Sequence, residues 1–295
     1  MTEKRIETTP SRTAEWTCLA RAASSMEADS CYRSDDRLAA VLAPGFVSAL
    51  LRMAPVRGLY RRVLAPRGLY EYVIARTKYI DAAFQQALQE RFDQVLLFGA
   101  GFDTRALRFG AVLGDTRVFE LDTALTQSAK LQRYREKQLA VPRNVTFIAI
   151  DFDKESLPEK LREAGFRPTQ RSLFVLEGVL MYLQPQPVEA TFRAIGDFAG
   201  AGSRIVFDYV RASVLRGENT LYGEEGATRA VGEVNEPWHF GLEPAQAESF
   251  LAGHGFRLTD QEDSSALEKR YFAGPDGHVR GRVNGTHCLV TAEKV

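Results

Sequence analysis

The sequence has little of what would mark a secreted, membrane-spanning or polyanion-binding chain. It holds three cysteines, Cys18, Cys31 and Cys288, an odd number at unrelated spacings that suits neither a disulfide framework nor a zinc site, so they read as reduced thiols. It has no apolar run of the roughly 18 residues that spanning a bilayer requires. The opening stretch MTEKRIETTPSRTAEW lacks the apolar centre of a signal peptide, so a cytoplasmic protein with no membrane partner is expected. Excess charge is missing too, with 38 Lys plus Arg against 38 Asp plus Glu and a formal net charge of zero. That balance offers little counterion-release driving force, and no basic stripe interleaved with aromatics occurs, so nucleic acid is not an expected partner.

What is present suits a folded enzyme. Of the 295 residues, 45% are hydrophobic and 26% charged, close to the soluble globular average and enough to build one large α/β domain. The neutrality is a cancellation: Pro44 to Ile80 holds seven basic residues and one acidic, and Glu218 to Glu248 holds seven acidic and one basic. The basic segment reads as amphipathic helix, and its charge suits an ordinary solvated face, an anionic ligand or the acidic segment itself.

Residues 1 to about 90 carry helical periodicity, best at Thr13–Met26, Asp35–Ala43, Phe46–Met53 and Arg67–Arg91. Arg57-Gly-Leu-Tyr60 returns as Arg67-Gly-Leu-Tyr70, each copy after an Ala-Pro pair, a local duplication that reads as a helix-turn-helix edge. Beyond Arg91 short apolar runs alternate with helical stretches, the pattern of βαβ units and a mostly parallel sheet. Strands are expected at Gln94–Phe98, Arg117–Leu121, Val145–Ile150, Ser172–Leu176 and Arg204–Tyr209, with weaker ones near Phe256–Thr259 and Thr286–Ala292. Helices are expected between them, including Thr104–Leu113. Val210 to Pro237, rich in Gly and Glu, reads as an inserted cap or mobile loop.

The chemistry gathers where strands end. Val95-Leu-Leu-Phe-Gly-Ala-Gly-Phe-Asp-Thr-Arg105 is an apolar strand entering a Gly-X-Gly turn, with Asp103 and Thr104 placed to cap the next helix. Gly99 and Gly101 let backbone pass close to a nucleotide-like ligand. A dinucleotide fingerprint needs Gly or Ala where Thr104 stands, and Asp103 would put negative charge beside a pyrophosphate. Both favour a ligand without phosphates, bearing a sugar and a sulfonium, over a nicotinamide dinucleotide. The second strand ends in Phe-Glu-Leu-Asp122, whose carboxylate can accept from both ribose hydroxyls, with Glu120 ranked second; the competing role of Asp122 is a helix cap. The third strand ends at Asp151, suited to an adenine amino group, with Phe152 to pack on the base. The fourth places Glu177 at its carboxyl edge. Three acids at the edge where open α/β sheets bind ligands make one shared site.

In this order and spacing, Gly-Ala-Gly-Phe-Asp-Thr-Arg105, Phe-Glu-Leu-Asp122, Ile-Asp-Phe152 and Glu177-Gly-Val-Leu-Met-Tyr-Leu183 resemble the leucine carboxyl methyltransferase family. The resemblance runs from about Tyr70 to Phe256. It is strongest to the bacterial branch of S-adenosylmethionine-dependent O-methyltransferases, the tetracenomycin carboxyl methylase type among them. It implies the class I methyltransferase fold, a Rossmann-like α/β architecture with a seven-stranded sheet whose last strand is antiparallel. It implies a helical N-terminal cap over residues 1–66 and a cofactor domain over residues 67–295, with an insertion at about 210–240. It also implies S-adenosyl-L-methionine as cofactor. Arg76 would grip the methionine carboxylate, Gly99 and Gly101 lie against the methionine portion, Asp122 hold the ribose, Asp151 and Phe152 the adenine, and Glu177 the fourth-strand side. The family's protein-tail substrate has no counterpart signal here, so the expected substrate is a small-molecule carboxylate, of polyketide type for instance, or a phenol.

Methyl transfer is an in-line displacement in which the enzyme contributes proximity and alignment. A carboxylate nucleophile, ionised at neutral pH, needs no base. A hydroxyl gains from one, and among the four histidines His239, after the insertion, is the candidate, its competing role being a packed loop residue beside Trp238. Tyr182 and Tyr209 are candidate aromatic contacts or core residues, and Arg211 could orient a substrate carboxylate. The remaining alternatives are a nicotinamide-dependent oxidoreductase and a cofactor-binding module without turnover. The basic and acidic segments are expected to form opposite walls over the sheet edge.

Overall fold

The apolar run Gln94–Phe98 forms β1, the hub of the sheet in the computed structural model, which describes residues 11–295. β2 (Arg117–Asp122) and β4 (Ser172–Leu176) flank it, both parallel to it. β3 (Val145–Ala149) lies outside β2, while β5 (Arg204–Arg211), β8 (His287–Lys294) and β7 (Phe256–Glu262) continue beyond β4. The order is therefore β3-β2-β1-β4-β5-β8-β7, with β8 antiparallel to both neighbours. The two-residue β6 (Gly241–Leu242), not foreseen in the sequence, pairs in parallel with the end of β5. Strand order reverses between β1 and β4, and at such a switch point the chain leaves the two strands in opposite directions and opens a crevice.

Alternation along the central strands feeds two cores. Val95 and Leu97 face one, with the N-terminal helices; Leu96 and Phe98 face the other. The first core is covered by α1 (Arg12–Ser24), α2 (Arg37–Leu42), α3 (Gly45–Leu51) and α5 (Leu69–Gln89); α4 (Ala54–Leu59) joins α3 to α5 through a π-helical turn, Tyr60–Leu64. α6 (Arg105–Arg108), α7 (Ala124–Glu136) and α8 (Leu157–Glu163) follow β1, β2 and β3. The second core is closed by α9 (Pro185–Phe198), whose Val188, Phe192 and Ile195 form one apolar stripe at helical spacing.

Several expectations are corrected. The helix expected over Thr104–Leu113 is only α6 and a 3-10 turn, Gly110–Val112. The Thr104 hydroxyl donates to Asp36 at 2.6 Å instead of capping, and Arg105 and Arg108 both turn back to Asp81. The stretch at 210–240, expected as an inserted cap or a mobile loop, carries α10 (Ala212–Leu215) and α11 (Glu224–Glu233), held by the buried Glu224 carboxylate, which accepts the Asn219 and Leu221 N–H groups. Two more helices, α12 (Ala247–Ala252) and α13 (Ser264–Tyr271), flank β7. The repeated tetrapeptide is not a repeated structure. Gly58 sits inside α4, whereas Gly68 adopts φ +72° at the start of α5, where a Cβ would meet the Asn284 backbone nitrogen at 2.6 Å.

Candidate functional site

The carboxyl ends of β1, β2 and β4 open into one cavity of about 450 Å³, within the range of small-molecule sites. The turn after β1 forms its floor. Gly99 and Gly101 both have positive φ, and a Cβ on Gly99 would stand 2.3 Å from the Val179 side chain, so only glycine lets this turn meet the segment after β4. Asp122, at the tip of β2, accepts the Gly101 N–H at 2.5 Å and the Thr123 N–H at 2.6 Å. Burial raises its pKa, and those two N–H groups pull the other way. Each oxygen keeps a further lone pair for a ligand hydroxyl. Phe152 lines the cavity beside Phe98, ring centroids 5.9 Å apart.

Beneath one end lies a buried ionic network. Arg76, on α5, stands 3.0 Å from Glu177 and 2.8 Å from Asp208. Asp208, fully buried, also accepts the Tyr72 hydroxyl at 2.7 Å and the Gly178 N–H at 2.6 Å. Burial alone would raise the Asp208 pKa, but Arg76 and the other donors outweigh it and hold the carboxyl below its ordinary value. Arg105 is the second hub, at 2.7 Å from Asp81, 2.5 Å from Asp103 and 2.6 Å from Glu177. Burial pushes the Asp103 carboxyl up, yet Arg105, Lys130 and Arg21 hold it at about 2.

The roof comes from two distant parts of the chain. α1 presents Thr13, Ala14, Thr17 and Arg21, and the segment before β6 presents Asn235, Glu236 and His239. They are tied where the Arg12 N–H and the Ser11 hydroxyl donate to Glu236 at 3.0 and 3.2 Å. Arg21 is committed to Asp36 at 2.6 Å and to the Phe102 carbonyl at 2.8 Å. Met181 accepts the His239 backbone N–H at 2.6 Å, which fixes the roof to the segment after β4.

The cavity brings together most of the residues singled out in the sequence. Arg76, Gly99, Gly101, Asp122, Phe152 and Glu177 all line it, and so do Tyr182 and His239. Asp151, Tyr209 and Arg211 are not among its lining residues. Asp151 turns outward to Lys154 at 3.2 Å and accepts the Asp153 N–H. Tyr209 points into the opposite core, where its hydroxyl accepts from Gln261 at 3.1 Å; on a strand the neighbour, Asp208, takes the site-facing position. Arg211 pairs with Asp263 at 3.4 Å. Glu120, ranked second to Asp122, is sealed against Lys130 at 2.6 Å. Of the basic segment only Arg76 lines the cavity, whereas the acidic one supplies Asn235 to Pro237 and His239. Sequence reading missed Asp208, Arg105, Tyr72 and His287. Strand alternation beyond Phe207 would have flagged Asp208; the others depend on contacts between distant segments.

Comparison with known proteins agrees with this architecture. The sequence profile of the leucine carboxyl methyltransferase family matches residues 14–196. A candidate S-adenosyl-L-methionine-dependent methyltransferase of Streptomyces avermitilis is 31% identical over 67% of this chain and 65% of its own length. One from Frankia alni is 32% identical over 60% of this chain and 63% of its own. The matched chain thus spans just under two thirds of these two relatives. Among solved structures, a candidate methyltransferase from Thermobifida fusca shares the fold at TM-score 0.62 and 18% identity, covering 97% of this chain and 95% of its own. The sheet is the mostly parallel class I methyltransferase sheet, and the chain belongs to the leucine carboxyl methyltransferase family, whose cofactor is S-adenosyl-L-methionine.

Proposed function

We propose that this protein is an S-adenosylmethionine-dependent O-methyltransferase acting on a small metabolite. The observation that carries the reading is the donor set around one cavity: a carboxylate at the tip of β2, a glycine floor, an apolar ring and a buried guanidinium, in the order a nucleoside–amino-acid cofactor needs. Asp122 would hold the ribose, Phe152 the adenine face, Arg76 the methionine carboxylate, and Gly99, Gly101 and Glu177 the methionine portion. The lining carries four carboxylates, Asp103, Asp122, Glu177 and Glu236, against two guanidiniums, which suits a sulfonium and an ammonium and not a pyrophosphate. The cofactor supplies a methyl group whose bond to sulfur breaks, electron pair to sulfur, as an acceptor oxygen bonds the carbon from the opposite side.

The chain's own part is to bind, align and exclude water. α1 caps the cavity, and Met181, Tyr182 and His239 border the space left for the acceptor. Membership of a carboxyl methyltransferase family suggests a carboxylate acceptor and a methyl ester; a hydroxyl acceptor, giving an ether, is the second reading, and the buried His287 at the cavity wall favours it. Calorimetry with S-adenosylmethionine tests the common core. Asp122→Ala is expected to weaken binding by about 10- to 100-fold, the loss of a charge-assisted pair of hydrogen bonds. Undiminished affinity would remove the ribose assignment.

A further inference from the structure

His287 was passed over in the sequence, yet its hydrogen-bonding state is dictated by its surroundings and it borders the cavity. The first residue of β8, it is 4% exposed and lines the cavity. Its ring stacks on Tyr72, with centroids 4.3 Å apart, and meets the edge of Trp238 at 5.2 Å.

A relay of hydrogen bonds fixes its tautomer. The Asn284 amide nitrogen donates to the Arg67 carbonyl at 3.0 Å, so its oxygen faces the other way, and that oxygen accepts the Thr286 N–H at 3.0 Å. It also accepts the Thr286 hydroxyl at 2.5 Å. The hydroxyl's one proton is thereby spent. Its contact with His287 Nδ1 at 2.7 Å must then be one in which Nδ1–H donates and the hydroxyl oxygen accepts. Nε2 of the neutral ring therefore carries a lone pair.

Resting on the methyltransferase reading above, we propose that His287 Nε2 accepts the proton of a hydroxyl substrate, so that the acceptor is an alcohol or phenol and the product an ether. A lone pair repels a carboxylate and attracts an O–H. The charges agree: among the described residues two cations line the cavity, Arg21, bound to Asp36, and Arg76, paired with Asp208 and Glu177 and assigned to the methionine carboxylate, which leaves neither for an acceptor carboxylate. As oxygen bonds the methyl carbon its proton becomes strongly acidic, and it passes to Nε2 while the C–S bond breaks and its electron pair stays on sulfur. The charged groups coupled to the ring are Asp208 on β5 and Arg76 on α5. The first favours the imidazolium and the second opposes it. Burial, reinforced by Arg76, outweighs Asp208 and holds the ring pKa at about 4, so the lone pair is available throughout the neutral range.

Two measurements test this. Long-range 1H–15N NMR of the histidine-labelled protein saturated with S-adenosylhomocysteine should show a pyridine-type Nε2 at residue 287, identified by its absence in His287→Gln. Thr286→Val, which keeps the ring and removes the acceptor of Nδ1–H, should mix the tautomers. In calorimetry on the same complex, 2-naphthol should bind more tightly than 2-naphthoate, with the preference reduced about two- to tenfold in His287→Gln, the loss of one hydrogen bond. A protonated Nε2 at neutral pH, no measurable difference between the two probes, or a preference unchanged in His287→Gln overturns the proposal. Because every sample is loaded with S-adenosylhomocysteine, failure of the cofactor reading shows separately, as failure to saturate.

Discussion

Removing the Asp208 carboxylate tests whether the buried network supports the fold as well as the site. In Asp208→Ala three donors lose their acceptor at once: the Tyr72 hydroxyl, the Gly178 N–H and one nitrogen of Arg76. Arg76 keeps only Glu177, at 3.0 Å. Breaking a buried pair by deleting one partner costs about 3–5 kcal/mol, since the other charge stays out of water. Each orphaned neutral donor adds about 1–3 kcal/mol where water cannot reach it. The cavity beside Arg76 admits some solvent, so a net loss of about 4 kcal/mol is expected. In a chain of this size that lowers the melting midpoint on the order of 10 °C. The assay is urea denaturation of the ligand-free protein followed by fluorescence. The pH dependence carries a second signature. Asp208 has a depressed folded pKa, so its contribution is present above the ordinary carboxylate value and lost as pH falls through the folded one; the variant should lose that acid limb. A loss below about 1 kcal/mol, the range of an exposed pair, would refute the account of a buried network.

Glu120 gives the opposite sign. Burial lifts its pKa to about 7 despite Lys130 at 2.6 Å, so its stabilisation is complete below the unfolded value of about 4.3 and is lost as pH rises through about 7. Glu120→Gln should flatten stability across that window in denaturation curves, and an unchanged slope would mean the pair is ionised throughout. Gly99→Ala would force a side chain at φ +58° into Val179; a loss of about 2 kcal/mol, with S-adenosylmethionine affinity falling too, is expected from melting and calorimetry. Arg211→Met removes a partly exposed pair with Asp263 at 3.4 Å and a weak contact with the Cys288 thiol, so stability should move by less than about 1 kcal/mol and cofactor affinity not at all.

The parts of the fold that local pattern governs were legible in the sequence. Gln94–Phe98 and Ser172–Leu176 were bounded to the residue because both are fully buried apolar runs ending at glycine or charge. The acids Asp122 and Glu177 were found because they close such runs. What escaped detection depends on partners far along the chain. α6 is short because its arginines are drawn to Asp81 on α5. Asp208 and Tyr209 exchanged roles because the strand-end aromatic masked its neighbour, which alternation with Arg204 places on the site-facing side of β5. The insertion looked irregular because α11 is held by a buried glutamate rather than by an apolar stripe. His287 has no signature of its own, since its tautomer is set through Asn284 by a carbonyl 220 positions earlier in the chain, at Arg67.

The tie between Ser11, Arg12 and Glu236 bears on how binding and folding share free energy. It joins segments more than two hundred residues apart, and it does so across the ligand's own space. The closure rests chiefly on the packing of α1 in the first core, where Cys18, Ala20, Ala22 and Ala23 are buried, and the polar tie adds to it. A ligand that fills the cavity touches both α1 and the segment before β6, and so adds its binding energy to the closure. Occupancy and the closure of the tie between Ser11, Arg12 and Glu236 are therefore linked. Protection of the amides in the first turn of α1 from hydrogen exchange should then rise with ligand concentration.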